Sequence, residues 1–338
     1  MKRVVCAAWA MVALVFLVPW LLFGGGEGEE EPPILLPDRT GTAWDRGRRV
    51  MLLHRETGEV EELALSDYLF GVVAAEMPAS FQTEALKAQT VAARTYTLRR
   101  EGAAVEAHPQ ATVCDDYTCC QAYLTVAEAR SGWGGEADFY EGKLRAAVSG
   151  TDGLVVTYGG ELIDAVFHSS SEGSTADAAQ VWGTGVPYLV PVDTPEGEEV
   201  PNFRTTVTVP LAQFRETVVQ AHPEAVFGED YTAWFGPMEV NDWGGVARLP
   251  AGGVGLTGTE YRKLFGLRST RFTLRAGEEG VTFSVTGYGH GAGMSQYGAN
   301  ALATQGHDFR AILTHYYTGC AVEPWTGDTE IKVPDEGA

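Results

Sequence analysis

Apolar and polar residues alternate through RVMLLHRETGEVEEL, residues 49 to 63, on either side of a Glu-Thr-Gly-Glu turn. That period of two predicts a β-hairpin. The period then changes. LSDYLFGVVAAE predicts a helix, with Ser66 placed to cap its first turn and Asp67 at the positive end of its dipole. Pro78 predicts where that helix stops. A second helix is expected over TEALKAQTVAARTYTLRR, residues 83 to 100, where Ala85, Ala88, Ala92 and Ala93 let neighbouring backbone come close. β-Branched and aromatic residues mark strands within residues 153 to 170. Further on, VPLAQFRETVVQAHP reads as a short helix and RFTLRAGEEGVTFSVTG as another hairpin. GMSQYGANALATQG and DFRAILTHYY read as a helix pair. Helices and hairpins succeed one another with no βαβ order and no fixed-period repeat, which predicts an α+β fold.

The beginning of the chain follows a different rule. Lys2 and Arg3 precede VVCAAWAMVALVFLVPWLLF, residues 4 to 23, a run without charge. About 20 apolar residues suffice to cross a bilayer. The basic pair predicts a cytoplasmic tip at 1–3, a transmembrane anchor at 4–23 and an exported remainder. A cleaved signal peptide is the competing reading, but FGGGEGEEEPP holds no clear small-x-small cleavage site. Cys6 precedes the apolar core, as a membrane-buried thiol would. Residues 24–40 read as an acidic Gly/Pro linker and residues 41–338 as a single folded ectodomain with a substrate cleft.

Charge narrows the partners. Lys and Arg total 24 against 45 Asp and Glu, a formal charge of -21. Nucleic-acid binding needs a basic face, so it is excluded as a broad role. No strand-GxGxxG-helix or GxxxxGK[ST] unit is present, so no nucleotide site is inferred.

Four stretches carry candidate chemistry. Glu76 ends a helix at Met77-Pro78, where the negative end of the dipole raises a carboxyl pKa. Val72, Val73 and Met77 push the same way if they shield it. A carboxyl kept protonated suits a general acid. Lys87 and Arg94 are seven residues apart on the next helix and share a face. Facing Glu76 they would position substrate; otherwise all three form a solvated surface.

HPQATVCDDYTCC places His108, Cys114 and Cys120 at six-residue steps with Cys119 alongside, donors that suit zinc. A disulfide of Cys114 with Cys119, Cys120 or Cys320, or free thiols, fits the spacing equally. FHSSSEGST begins with His168, Ser169 and Ser170, and its continuation carries Trp182 and Tyr188, groups able to line a sugar groove. A Ser/His nucleophile there lacks both a GxSxG elbow and a supporting acid. GYGHGAGMSQYGA sets His290, Ser295, Gln296 and Tyr297 on a glycine-rich loop at a helix start, a ligand loop or a tight structural turn.

Together these segments resemble the stage II sporulation protein D (SpoIID) family. LSDYLFGVVAAEMPASFQTEALKAQTVAARTY, VCDDYTCCQAY, the FHSSSEGST loop, GLTGTEYRKLFGLRSTRF and GYGHGAGMSQYGANALATQG occur in that order. One departure is Glu172, where relatives commonly show Gly. The resemblance implies a membrane-anchored peptidoglycan lytic transglycosylase of forespore engulfment that prefers strands already stripped of stem peptides by an amidase. It puts the catalytic acid on Glu76 and basic active-site positions on Lys87 and Arg94. It also puts a zinc site, found in some members, on His108, Cys114 and Cys120. Substrate is expected at His168, Ser169, Ser170, His290, Ser295 and Gln296. Zinc would be structural, and the chemistry requires no cofactor. The expected partners are glycan strands, a cell-wall amidase and other engulfment membrane proteins. The same architecture also includes amidase enhancers, a non-catalytic alternative.

Overall fold

The computed structural model describes residues 43–101 and 105–326. The expected tip, anchor and linker lie outside the described residues. No helix within them is long and apolar enough to cross a membrane.

A short helix α1 (Ala43–Gly47) leads into the hairpin of β1 (Arg49–Leu53) and β2 (Val60–Ala64), which pair antiparallel from Arg49↔Ala64 to Leu53↔Val60. The strand passes straight into helix α2 (Leu65–Glu76), so Ala64 is the N-cap and makes no side-chain bond. Ser66 therefore sits inside the first turn and does not cap it, contrary to the sequence expectation. The helix ends where expected. Met77 is extended, with φ -125° and ψ 143°, the conformation that a following proline imposes.

Helix α3 (Thr83–Arg100) is the axis of the molecule. It packs against α2, against α5 (Ala137–Ser149) and strand β4 (Leu154–Tyr158), and against α9 (Gln296–Thr304) and α10 (Phe309–Tyr316) near the end of the chain. Ala85, Ala88, Ala92 and Ala93 are all fully buried. Small side chains let five elements crowd one helix, and close packing follows. Between β3 (Val113–Cys114), which joins β1 in parallel, and α5 lies α4 (Val126–Trp133). The α4–α5 pair was not evident from apolar spacing. Its signal is a capping box in which Thr125 and Glu128 satisfy each other's backbone.

The strands expected in 153–170 are three short ones: β4, β5 (Glu161–Leu162) and β6 (Phe167–His168). After α6 (Ala178–Trp182), residues 204–286 build a second core. Antiparallel β7 (Arg204–Val209), β11 (Phe272–Gly277) and β12 (Gly280–Thr286) run in the order β11-β12-β7. Helix α7 (Leu211–Ala221) covers this sheet, with Phe214 stacked 4.8 Å from Phe265 of α8 (Gly258–Phe265). A small sheet of β8 (Glu239–Val240), β9 (Val246–Ala251) and β10 (Val254–Leu256) completes it. The segment closes at its neck, where Gly287 N–H donates to the Phe203 carbonyl at 2.8 Å.

The chain then returns to the first core. β13 (Met294–Ser295) pairs parallel with β6, Met294 beside Phe167 and Ser295 beside His168. Gly293 makes this possible: its φ is +72°, and a Cβ would stand 2.1 Å from the Val166 carbonyl oxygen. Strand β14 (Ala321–Pro324) closes the sheet on β4. The architecture is α+β, as expected.

Candidate functional site

Glu76 is the last residue of α2 and is half-buried. The Ala122 N–H donates to one carboxylate oxygen at 2.8 Å. The side-chain amide of Gln296, the first residue of α9, reaches the other at 3.4 Å. Burial pushes the Glu76 pKa above its ordinary value, and these two hydrogen bonds offset it only in part. Desolvation disfavours the charged form more than two donors favour it. Gly71 holds this geometry from the other side. A Cβ there would fall 2.2 Å from the Tyr123 ring, so only glycine lets the 121–124 segment lie on α2.

The two basic residues of α3 do not face Glu76. Arg94 is fully buried and grips Asp45 of α1 through two bonds, at 2.8 and 2.5 Å, and donates to the Leu154 carbonyl at 3.0 Å. It is a structural ion pair tying α1 and β4 to α3, not a substrate contact. Lys87 lies 2.6 Å from Glu84 and stands over the Phe309 ring. The expectation that both flank the acid is therefore corrected. Their seven-residue spacing does put both on the side of α3 toward residues 150–154, where Lys87 lies near Gly150.

Downstream of β1, the cysteine loop folds on itself. One ligand atom each from His108, Cys114, Cys119 and Cys120 lies within 4.8 Å of every other. His108 Nε2 is 3.2 Å from Cys120 Sγ, while its Nδ1 faces the Ala111 carbonyl at 3.0 Å. That second contact fixes the tautomer and turns the Nε2 lone pair into the cluster. All four thiols in the described residues, Cys320 included, are free. One imidazole and three thiols gathered at this distance fit a tetrahedral zinc. The sequence reading named three of these donors; Cys119 is the fourth. The loop leads directly to Gln121, which accepts from Tyr68 of α2, and to Ala122.

The serine-rich and glycine-rich loops meet behind Glu76. His168 Nδ1 faces the Ala292 carbonyl at 3.2 Å, and its Nε2 meets Ser171 Oγ at 2.6 Å. A carbonyl backs the imidazole where a hydrolase would place a carboxylate, and burial drives its pKa down to about 3. Such a neutral ring is a strut, not a base. His290 lies beside it, also neutral, with a pKa held near 4 by burial and by Arg262. The Ser169 carbonyl accepts from Tyr297 N–H at 3.0 Å and from Ser295 Oγ at 3.3 Å, and Ser170 bridges to Tyr288. Ser295 also caps α9. It thereby places its neighbour Gln296 on Glu76.

One residue in this region was missed. Glu196, 5% exposed, accepts from Ser171 N–H at 2.8 Å and from the hydroxyls of Ser295 and Thr194. Tyr316 reaches Thr194 in turn, at 2.9 Å. This buried carboxylate knots both loops together. Nothing in TPEGEEV distinguishes it from a surface turn.

The family model described as Stage II sporulation protein matches residues 54–158, from the β1–β2 turn through β4, a segment that includes Glu76 and the cysteine cluster. The chain is 33% identical over 337 residues to the stage II sporulation protein D of Bacillus subtilis (strain 168), covering 95% of this chain and 96% of that one. It is 36% identical over 262 residues to the protein of the same name from Bacillus amyloliquefaciens, covering 77% and 74%. Its similarity to the amidase enhancer of Bacillus subtilis (strain 168) is 29% over 302 residues, 74% of this chain and 39% of the relative. Identity at this level along almost the full length of both chains, on top of the motifs set around Glu76, places this protein in the stage II sporulation protein D family.

Proposed function

We propose that the protein is a lytic transglycosylase that cuts peptidoglycan strands during engulfment, with Glu76 as its single acid and base. One observation carries this reading. Glu76 is a half-buried carboxylate with a raised pKa, bonded to the Ala122 N–H and the Gln296 amide and to no charged partner among the described residues. Hydrolysis with water needs a carboxylate pair about 5 to 9.5 Å apart. Intramolecular closure needs only one.

Protonated Glu76 gives its proton to the oxygen joining MurNAc C1 to GlcNAc, and the C1–O bond breaks. The carboxylate then takes the proton of the MurNAc 6-hydroxyl as O6 bonds to C1. GlcNAc leaves with a free 4-hydroxyl, and MurNAc ends as a 1,6-anhydro sugar. Water is neither consumed nor released. Gln296 and Ala122 N–H orient the carboxylate through both steps, and the raised pKa keeps the proton available near neutrality.

His108, Cys114, Cys119 and Cys120 would hold zinc, which when bound supplies a structural cross-link in the loop that leads to Ala122. The thiols and the imidazole set that loop against α2. We place the ectodomain outside the cytoplasmic membrane, anchored by residues 4–23 and working with a cell-wall amidase and other engulfment membrane proteins. The likeness to an amidase enhancer supports a second, non-catalytic reading in which the same cleft binds the wall or a wall enzyme.

The two readings separate on product. Incubated with peptide-free glycan strands, the full-length chain should release 1,6-anhydro ends detectable by mass spectrometry. Glu76→Gln should lower that rate about 10²- to 10⁴-fold. Undiminished release by the variant would remove Glu76 from the acid role. Elemental analysis of the purified chain should find stoichiometric zinc; a Cys114–Cys120 disulfide without metal would overturn the zinc proposal.

A further inference from the structure

Gln121, Ala122, Tyr123 and Leu124 seat the loop after the cysteine cluster on α2, each by a different contact. The Gln121 side-chain oxygen accepts from the Tyr68 hydroxyl at 3.3 Å. Ala122 N–H donates to Glu76 at 2.8 Å. The Tyr123 ring stacks on the Tyr68 ring at 5.9 Å and lies against Gly71. Leu124 N–H donates to the Gly71 carbonyl at 3.2 Å. Tyr68 is thus gripped twice, by an amide and by a ring. It stands two turns before Glu76 on the same helix, and positions i, i+4 and i+8 climb one side. Burial above all keeps the Tyr68 phenol neutral, and the Glu76 charge is close enough to add to that effect.

The ring and the backbone bond of this segment are explained by packing and pairing. The Gln121 amide is not. The residue is 1% exposed, and its Nε2 is buried with no protein partner among the described residues. An unpaired buried amide N–H group destabilises a fold. Leucine at 121 with phenylalanine at 68 would fill nearly the same space and leave neither side chain with a polar group to satisfy. A local rule broken at a buried position is a mark of a site. Here the bonded arm of the amide reaches Tyr68, and the next residue in the chain touches Glu76.

We propose that Gln121 is a positioning residue for Glu76, acting through Tyr68 to hold the Ala122 N–H on the carboxylate. Its own side chain is too deeply buried to meet a substrate. The inference rests on the acid role assigned to Glu76 and adds a residue that sets how readily this carboxyl gives up its proton. Ala122 N–H is the shorter of the two contacts to Glu76, 2.8 Å against 3.4 Å for Gln296. Were it to slip, the charged carboxylate would lose its better donor, and the proton would be held to higher pH.

The test reads Glu76 itself. In the full-length chain in detergent micelles, isotope-labelled glutamate carboxyl carbons are followed by NMR across pH, and Glu76→Gln identifies the signal by removing it. Gln121→Leu should move the Glu76 midpoint up by about one pH unit, the worth of one hydrogen bond to a charged group. Tyr68→Phe, which keeps the ring on Tyr123, should move it the same way by about half as much. The double variant should go no further than Gln121→Leu alone, because both changes break one contact. Leu144→Ala, at a fully buried position of α5, checks for general loosening; it should lower the melting temperature and leave the midpoint in place. A midpoint unmoved in Tyr68→Phe, or moved as far by Leu144→Ala, would overturn the proposal, and Tyr68→Phe decides it even if Gln121→Leu does not fold. Additive shifts in the double variant would overturn the route through Tyr68. Failure of the enzymatic reading would show differently: no anhydro ends from wild type, with the midpoint shifts intact.

Discussion

Ser295 and Gln296 are neighbours in the chain, yet each bonds a different carboxylate, and the two carboxylates live in opposite circumstances. Glu196 is buried and collects a backbone N–H and two hydroxyls. Glu76 is half-exposed at a helix end and collects one backbone N–H and one long amide contact. A buried carboxylate met by several donors holds structure in place. One given too few for its degree of burial keeps its proton longer, and that proton is available for chemistry. The contrast lies in the number of donors, not in residue type. It is drawn within two residues of the start of α9.

The contrast can be broken from either side. The largest expected effect is at Glu196→Ala, which removes the acceptor that three buried donors share. Urea unfolding should show a loss of about 3 kcal/mol or more. Glu196→Gln keeps an acceptor oxygen and should lose only about a third as much. If Glu196→Ala were as mild as a surface substitution, the knot between the loops would not be holding them.

The smaller effect concerns Glu76 and runs the other way. Its folded-state pKa is raised by burial above the ordinary 4.5, so the fold binds the proton more tightly than the unfolded chain does. The stability this contributes is present below 4.5 and is lost as pH rises through the raised value. Glu76→Gln cannot ionise. It should melt at a slightly higher temperature than wild type at neutral pH, with the gap closing as pH falls below 4.5. A variant less stable at every pH would mean that the carboxylate is held as firmly as Glu196.

Local rules made the Glu76 end of this comparison legible. Pro78 fixes the helix stop, the stop fixes the acid at a dipole end, and both are adjacent in sequence. The same holds for the β1–β2 hairpin, for α3 and for the α9–α10 pair. What a spacing rule cannot say is what packs on a face. Seven residues put Lys87 and Arg94 on one side of α3, but Asp45, 49 residues before Arg94, decided that the guanidinium would be structural. Glu196 was out of reach for the same reason, since two of its three donors lie 25 and 99 residues away in the chain. Ser66 failed as a cap because the helix already starts at Leu65, which leaves the extended cap position to Ala64. Three of the four clustered imidazole and thiol groups were visible from spacing; Cys119 needed the fold of the loop.

The neck between Phe203 and Gly287 has a consequence for how such a protein can vary. Because the two ends of the 204–286 lobe are stitched to each other before either meets the α3 core, the lobe behaves like a cartridge on a fixed socket. Its outward face could be altered while Glu76 keeps its two hydrogen bonds. A graft of another relative's lobe at that seam is the natural way to exchange that surface without touching the surroundings of Glu76.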